Sequence, residues 1–278
     1  MTVLKKVLAT GISACGGGLV LYSLYNQNLE KFKVNASWTT NYTPQVPWDF
    51  NWDRRNPESL VKPCKGKEDE ARYNAEIANA TPTAKRHIIL IRHGQYNLDG
   101  KSDVEKFLTP IGKEQAAMTG KRLKELGHNY THLTVSTMTR AKETASIIQG
   151  FLPSSVKVTH CSMLEEGAPI PPEPPVGDWR PEPHQFFQDG ARIEAAFREH
   201  IHRASPKQKE DSYEVIVCHG NVIRFFLCRV LQFPADAWLR ISLRHASLSI
   251  LTILPSGRVV LRSVGDTGHF PPQLLTST

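Results

Sequence analysis

The sequence has no Cys-x-x-Cys pair, and its 5 cysteines, Cys15, Cys64, Cys161, Cys218 and Cys228, are an odd number at irregular spacing. A disulfide framework is therefore not expected. Cys218 and Cys228, set in apolar runs, read as small buried hydrophobes rather than nucleophiles. Zinc-finger spacing, an RNA-binding signature, a basic zipper and internal repeats are also missing. The cation surplus, 34 Lys plus Arg against 27 Asp plus Glu for a net charge of +7, is scattered along the chain. It favours anionic partners such as phosphate groups, acidic proteins or lipid headgroups, and does not point to nucleic acid.

Long uncharged stretches are scarce too. Residues 7–25 follow Lys5 and Lys6 and carry no charge; at about 1.5 Å per residue, a helix of this length just crosses a hydrocarbon core. Tyr22 and Tyr25 close the segment with rings suited to the membrane interface. The expected organisation is a short tail at 1–6 and a single-pass anchor at 7–25. A cleavable signal or presequence is disfavoured, because neither a clear cleavage pattern nor an Arg-rich amphipathic stretch is present.

Residues 26–85 are polar and irregular, with Pro44, Pro47, Pro57, Pro63 and Pro82 and a charged run at 65–72. They read as a linker. Inside it, Trp48-Asp49-Phe50-Asn51-Trp52-Asp53 is unusually aromatic. Such a patch either docks on its own domain or anchors a neighbouring subunit.

From residue 86 to 278 the pattern is that of a wound α/β domain. Strands are expected at 87–91, 132–136, 156–159 and 213–218, with a closing hairpin at 248–254 and 259–263. A helix is bounded by Thr109 as N-cap, Pro110 at its first position and Gly127 beyond its end. Further helices are expected at 140–149, at 191–203 and from 219 through 231, and residues 167–183 form a proline-rich loop.

Three polar sets follow strands: Arg92-His93-Gly94, the stretch Ser136 to Arg140, and His219-Gly220-Asn221. Ligands of open α/β sheets bind outside the carboxyl ends of the strands, so the sets are expected to converge. Their chemistry suits phosphoryl transfer. An imidazole attacks phosphorus, and Arg92 and Arg140 present planar forks to phosphate oxygens. His219 adds a donor, and Glu165 or Glu166 supplies the acid for a poor leaving group. The remaining histidines, His87, His128, His132, His160, His184, His200, His202, His245 and His269, read as structural. A metal hydrolase built on His93 and His219 is disfavoured because Arg92 would repel the cation.

Leu90-Ile91-Arg92-His93-Gly94 resembles the defining motif of the histidine phosphatase superfamily, which includes the phosphoglycerate mutases. Ser136 through Thr144 resembles its second arginine motif, and Cys218 through Arg224 its second histidine motif, in the family's order and spacing. The resemblance implies a three-layer α/β/α sandwich with a mostly parallel central sheet. It also implies His93 as the phosphorylated residue, Arg92, Arg140 and His219 as phosphate ligands, and Glu166 as the acid, with His219 assisting catalysis. No metal and no organic cofactor is implied.

The likeness extends to the mitochondrial serine/threonine-phosphatase branch through the N-terminal anchor, the tryptophan motif and residues 189–198. That branch implies phosphoprotein substrates, with phosphohistidine as a further one, and a mitochondrial membrane, the outer ahead of the inner. It also implies activating self-assembly through Trp48, Asp49, Asn51, Trp52 and Asp53. The Arg-His-Tyr-Gly continuation of true mutases is replaced by the proline-rich loop, which disfavours mutase activity; a small-molecule phosphatase or mutase is the alternative from the same fold. An intact phosphate-ligand set disfavours a scaffold with vestigial chemistry. Asn97 does not match the family's phosphate-binding asparagine. The linker has Asn56-Pro57-Glu58-Ser59-Leu60 where some relatives carry Glu-Ser-Gly-Glu, so a Keap-type adaptor is not an expected partner.

Overall fold

A computed structural model describes residue 43 and residues 45–277; the expected anchor at 7–25 and the first part of the linker lie outside the described residues. The chain divides into two units between Pro47 and Trp48, and the sheet belongs to the second. Among the described residues, no helix is long and apolar enough to cross a membrane.

The sheet contains β1 (Arg86–Arg92), β2 (Tyr130–Ser136), β3 (Lys157–Cys161), β4 (Ser212–Cys218), β5 (Leu248–Ile253) and β6 (Val259–Asp266). Their order across the sheet is β3-β2-β4-β1-β5-β6. The first four strands in that order run parallel; β5 is antiparallel to β1, and β6 is antiparallel to β5. Described helices include α1 (Glu70–Ala80), α2 (Pro110–Leu126), α3 (Thr139–Gln149), α4 (Pro183–His200) and α5 (Gly220–Val230).

The continuous apolar run of β1 lets this central strand be covered on both faces. Ile89 and Ile91 pack in one core with Leu123 of α2 and Ala141, Ala145 and Ile148 of α3. Ile88 and Leu90, one residue out of phase, pack in a second core with Ile193 and Phe197 of α4 and Phe226 of α5. Two cores on opposite faces of one sheet make the expected three layers. The expected caps of α2 are present: the Thr109 hydroxyl accepts from the Gly112 amide at 3.1 Å, and Gly127 takes φ 64°.

Two elements differ from expectation. Helix α4 starts at Pro183, well before 191, because Pro183 occupies its first position behind a capping box of Glu182 and Gln185. It ends at His200 rather than 203. Within the stretch read as irregular linker, residues 70–80 are helical, supported by the Arg72–Glu76 ion pair at 2.9 Å. Helix α1 buries no residue, so it left no apolar stripe to read.

The tryptophan segment is seated on its own chain. Trp52 is buried, its Nε1–H donates to the Gly257 carbonyl at 2.7 Å, and its ring lies 6.1 Å from that of Phe197. Asp53 is buried against Arg203: Nε and Nη2 of the guanidinium donate to its carboxylate at 3.0 and 2.9 Å, and the Arg203 amide donates at 2.9 Å. Gly257 turns the β5–β6 hairpin at φ +84°, where a Cβ would lie 2.6 Å from Arg203 Nη2. Trp48 is half-buried against the same core, while Asp49 and Phe50 are exposed. Asn51 accepts from the Asn56 amide at 3.1 Å and closes the turn.

Removing a large buried aromatic opens a cavity as well as losing its transfer energy. Trp52→Ala should therefore lower unfolding free energy by about 3–5 kcal/mol in urea titration. A loss below roughly 1 kcal/mol would show that the segment does not dock on the domain in solution.

Candidate active site

Strands β1 and β4 are paired with Arg92 opposite Cys218. His93 and His219 thus leave the sheet side by side, and the His93 amide donates to the Cys218 carbonyl at 3.0 Å. Their ring centroids lie 5.2 Å apart. On the far side of β4, β2 ends in Ser136, whose hydroxyl is 2.8 Å from His219 Nε2. Just beyond, the first turn of α3 brings Arg140 Nε to 3.2 Å from His93 Nε2. The three polar sets meet at one end of the sheet.

Gly94 makes the turn after β1 possible. A Cβ there would lie 2.5 Å from the Gly112 carbonyl, and one on Gly112 would overlap the Gln95 carbonyl. The loop is therefore pressed onto the first turn of α2 backbone to backbone. The Gly94 amide donates to Thr144 Oγ1 of α3 at 3.0 Å.

His93 is fully enclosed. Its Nδ1 lies 2.8 Å from the Gly94 carbonyl; a carbonyl only accepts, so Nδ1 carries the proton and Nε2 presents a lone pair. Burial, then the neighbouring His219, Arg140 and Arg92, hold its pKa well below the ordinary 6.5. Burial and the same arginines, with Arg192, depress His219 likewise. The Ser136 hydroxyl, 2.8 Å from His219 Nε2, also accepts weakly from the Met138 amide. His219 Nδ1 is buried with no hydrogen-bond partner among the described residues, and is a free donor in the tautomer whose Nε2 accepts from Ser136.

Arg92 Nη1 donates to the Leu243 carbonyl at 2.7 Å. Burial pulls its pKa down to about 10, so it stays cationic at neutral pH. The buried Arg140 lies over Tyr96, its Cζ 4.8 Å from the ring centroid, and its Nη1 has no hydrogen-bond partner among the described residues. Asp103 stands 3.8 Å from that Nη1 and caps α3 by accepting from the Thr139 amide and hydroxyl.

The two candidate glutamates diverge. Glu165 accepts a hydrogen bond from the Thr137 hydroxyl. Glu166 Oε1 accepts from the Gly167 and Asn221 amides, both at 3.3 Å. Its carboxyl is pushed above the usual range by burial, against the pull of Arg140, Arg92 and Arg224. A cavity of about 480 Å³ opens beside it, lined among others by Trp179, Arg180, Gln185 and Asn221.

Sequence reasoning missed several neighbours. His245 lies 5.7 Å from His93, with Nδ1 2.8 Å from Thr276 Oγ1, and burial pushes its pKa to about 3. It sits in the loop before β5, and no motif marks it. Tyr96 meets the His93 ring edge-on at 5.1 Å. Arg224 bonds Asn221 at 3.1 Å; its place four residues after Gly220 on α5 was the available signal. Trp48, Asp49, Asn51, Trp52 and Asp53 belong instead to the segment seated against α4 and the hairpin turn. Cys161, Glu199 and His200 place ligand atoms within 4.8 Å of one another, near the ends of β3 and α4 rather than among the strand-end histidines.

This arrangement offers a neutral nucleophilic nitrogen, two cations and a raised carboxyl around one point. Residues 88–168 and 173–266 match the family model of the Histidine phosphatase superfamily (branch 1), and the chain belongs to that family. It is 53% identical over 272 residues, 95% of this chain and 94% of the relative, to a protein of Drosophila pseudoobscura pseudoobscura named "Serine/threonine-protein phosphatase Pgam5, mitochondrial". The Drosophila yakuba protein of the same name is 50% identical over 278 residues, 98% of this chain and 96% of the relative. The solved structure of the Mycobacterium tuberculosis Rv3214 product shares the fold, with a TM-score of 0.50 at 22% identity, covering 66% of this chain and 99% of that one.

The buried histidines make stability depend on pH. His93, His219, His245 and His202 all have folded pKa values below 6.5, so the unfolded chain binds more protons as pH falls through that value. Their stabilisation is complete above about pH 6.5 and is lost below it, at up to about 1.4 kcal/mol per histidine per pH unit. Glu166, shifted upward, acts in the opposite sense. The urea midpoint should fall between about pH 7 and about pH 5; a flat or rising midpoint would contradict neutral histidines in the folded site.

Proposed function

We propose that this chain is a serine/threonine-protein phosphatase that works through a covalent phosphohistidine on His93. The observation that carries the reading is the state of His93: Nδ1 is tied to the Gly94 carbonyl, and Nε2 lies beside Arg140. The names of the Drosophila relatives support the substrate class.

Arg92, Arg140 and His219 bind the oxygens of the incoming phosphate monoester. The Nε2 lone pair attacks phosphorus, and the bond from phosphorus to the serine or threonine oxygen breaks. Protonated Glu166 gives its proton to the leaving oxygen, which an alkoxide of high pKa requires. Glu166, now a carboxylate, takes a proton from water, whose oxygen attacks phosphorus. The nitrogen–phosphorus bond then breaks, releasing inorganic phosphate and restoring His93. Phosphohistidine fits the same site as a further substrate.

The proposed organisation is a tail at 1–6, a single-pass anchor at 7–25, a linker at 26–85 and a catalytic domain at 86–278. The relatives' names support a mitochondrial location, and the uncharged stretch supports attachment to a mitochondrial membrane, the outer ahead of the inner. We place self-assembly on Trp48, Asp49, Asn51, Trp52 and Asp53. Trp52 and Asp53 fill a socket on their own chain, so assembly through them means donating the segment to the same socket of a second copy.

His93→Ala should abolish both turnover of a phosphoserine peptide and the acid-labile label left on the enzyme. Retention of either in that variant would rule out the proposed intermediate. Trp48→Ala combined with Trp52→Ala should reduce the particle mass measured by light scattering and lower turnover. A variant that remains folded and fully assembled would remove the segment from the assembly contact.

A further inference from the structure

Glu166 lies in a strip with little regular structure of its own: beyond the single turn Ser162–Leu164, residues 165–169 belong to no helix or strand. An acid that must meet a leaving oxygen has to be held to within a fraction of an ångström. The strip is held from α4. Arg192 Nη1 donates to the carbonyls of Met163 at 3.1 Å and Glu165 at 2.6 Å. Its Nη2 donates to the Glu166 carbonyl at 3.1 Å and to Asp189 Oδ1 at 2.8 Å. The other Asp189 oxygen accepts from the Ala168 amide at 2.9 Å.

All four terminal hydrogens of Arg192 are thereby committed to three carbonyls and one carboxylate. This arginine has no terminal donor left for phosphate. Its planar fork spans the backbone on which Glu166 is mounted, and a compact ammonium cannot make that set of bonds. Two glycines allow the close approach. A Cβ on Gly167 would lie 2.5 Å from Asp189 Cγ and 2.6 Å from Arg192 Nη2, and a Cβ on Gly190 would lie 2.5 Å from the Pro169 carbonyl. From the opposite side, Asn221 donates through Nδ2 to the Gly167 carbonyl at 3.0 Å and through its amide to Glu166 Oε1. The strip is gripped between α4 and the start of α5, with the carboxyl fixed at its centre.

We infer that Asp189 and Arg192 are positioning residues that aim the Glu166 carboxyl at the leaving oxygen, and so select for substrates whose leaving group needs a proton. The inference rests on the phosphatase reading with Glu166 as acid. Its signature is dependence on the leaving group. An alkoxide from phosphoserine requires the proton, whereas p-nitrophenolate leaves without it. The ratio kcat/KM covers steps only up to departure of the leaving group, so later hydrolysis of the phosphoenzyme does not enter.

The test compares kcat/KM for a phosphoserine peptide and for p-nitrophenyl phosphate in the full chain and in Arg192→Ala, Arg192→Lys, Asp189→Asn and Glu166→Gln, with a thermal melt of each. Arg192→Ala should lose about a hundredfold on the peptide, within the range of general acid catalysis, and only a few-fold on the aryl ester. Arg192→Lys should recover little of that loss, and Asp189→Asn should lose selectivity in the same direction. Glu166→Gln should show the same pattern more strongly. Equal losses on both substrates in Arg192→Ala and Asp189→Asn, or no loss, while Glu166→Gln discriminates, would overturn the positioning role and leave the acid in place. No discrimination in Glu166→Gln would overturn the acid assignment, and the inference with it. Should Arg192→Ala melt below the assay temperature, Asp189→Asn and Arg192→Lys decide by the same ratio.

Discussion

The chemistry of this site depends on one hydrogen bond, from His93 Nδ1 to the Gly94 carbonyl. It fixes the tautomer, and so decides which ring nitrogen faces the phosphate site. The bond exists because the chain turns sharply after β1, and the turn exists because Gly94 and Gly112 have no side chains to keep loop and helix apart. Thr144 of α3 receives the Gly94 amide from below. A short motif, a helix start and a second helix are thus joined in positioning one nitrogen.

Electrostatics then set the protonation states. Burial first, and then the charges of Arg140 and Arg92, keep His93 and His219 from taking a further positive charge. The carboxyl of Glu166 resists ionisation for the same first reason, loss of solvent. Histidine and carboxyl are shifted in opposite directions, each toward its neutral form. In the proposed mechanism that pairing is the working state for attack by nitrogen and proton donation by oxygen. In that mechanism the arginine charge is balanced when a phosphate dianion enters.

Much of this was legible in the sequence, for identifiable reasons. Strand ends followed by Arg-His-Gly or His-Gly mark themselves, because a buried apolar run stops abruptly at polar residues. The choice between Glu165 and Glu166 rests on the family resemblance and is not legible in the residues alone, since adjacent residues differ only in direction and the Thr137 hydroxyl that takes up Glu165 is distant in sequence. His245 was hidden because an antiparallel strand, β5, brings its loop beside β1; the Ala246 amide donates to the His93 carbonyl at 3.1 Å. Residues 48–53 looked like part of a tether because their partners, Arg203 and Gly257, lie 150 and 205 residues or so away. Pro183 falls at the end of the expected proline-rich loop, although a proline with the φ of a first helical position also marks a helix start.

The most direct test of a neutral, Nδ1-protonated nucleophile is nitrogen-15 NMR of the histidine side chains, with His93 assigned by its loss in His93→Asn. At about pH 6, where an unperturbed imidazole is largely protonated, His93 should show one protonated nitrogen, Nδ1, and one bare nitrogen, Nε2. A ring protonated on both nitrogens at that pH, or a proton on Nε2 alone, would contradict the nucleophile assigned to this site.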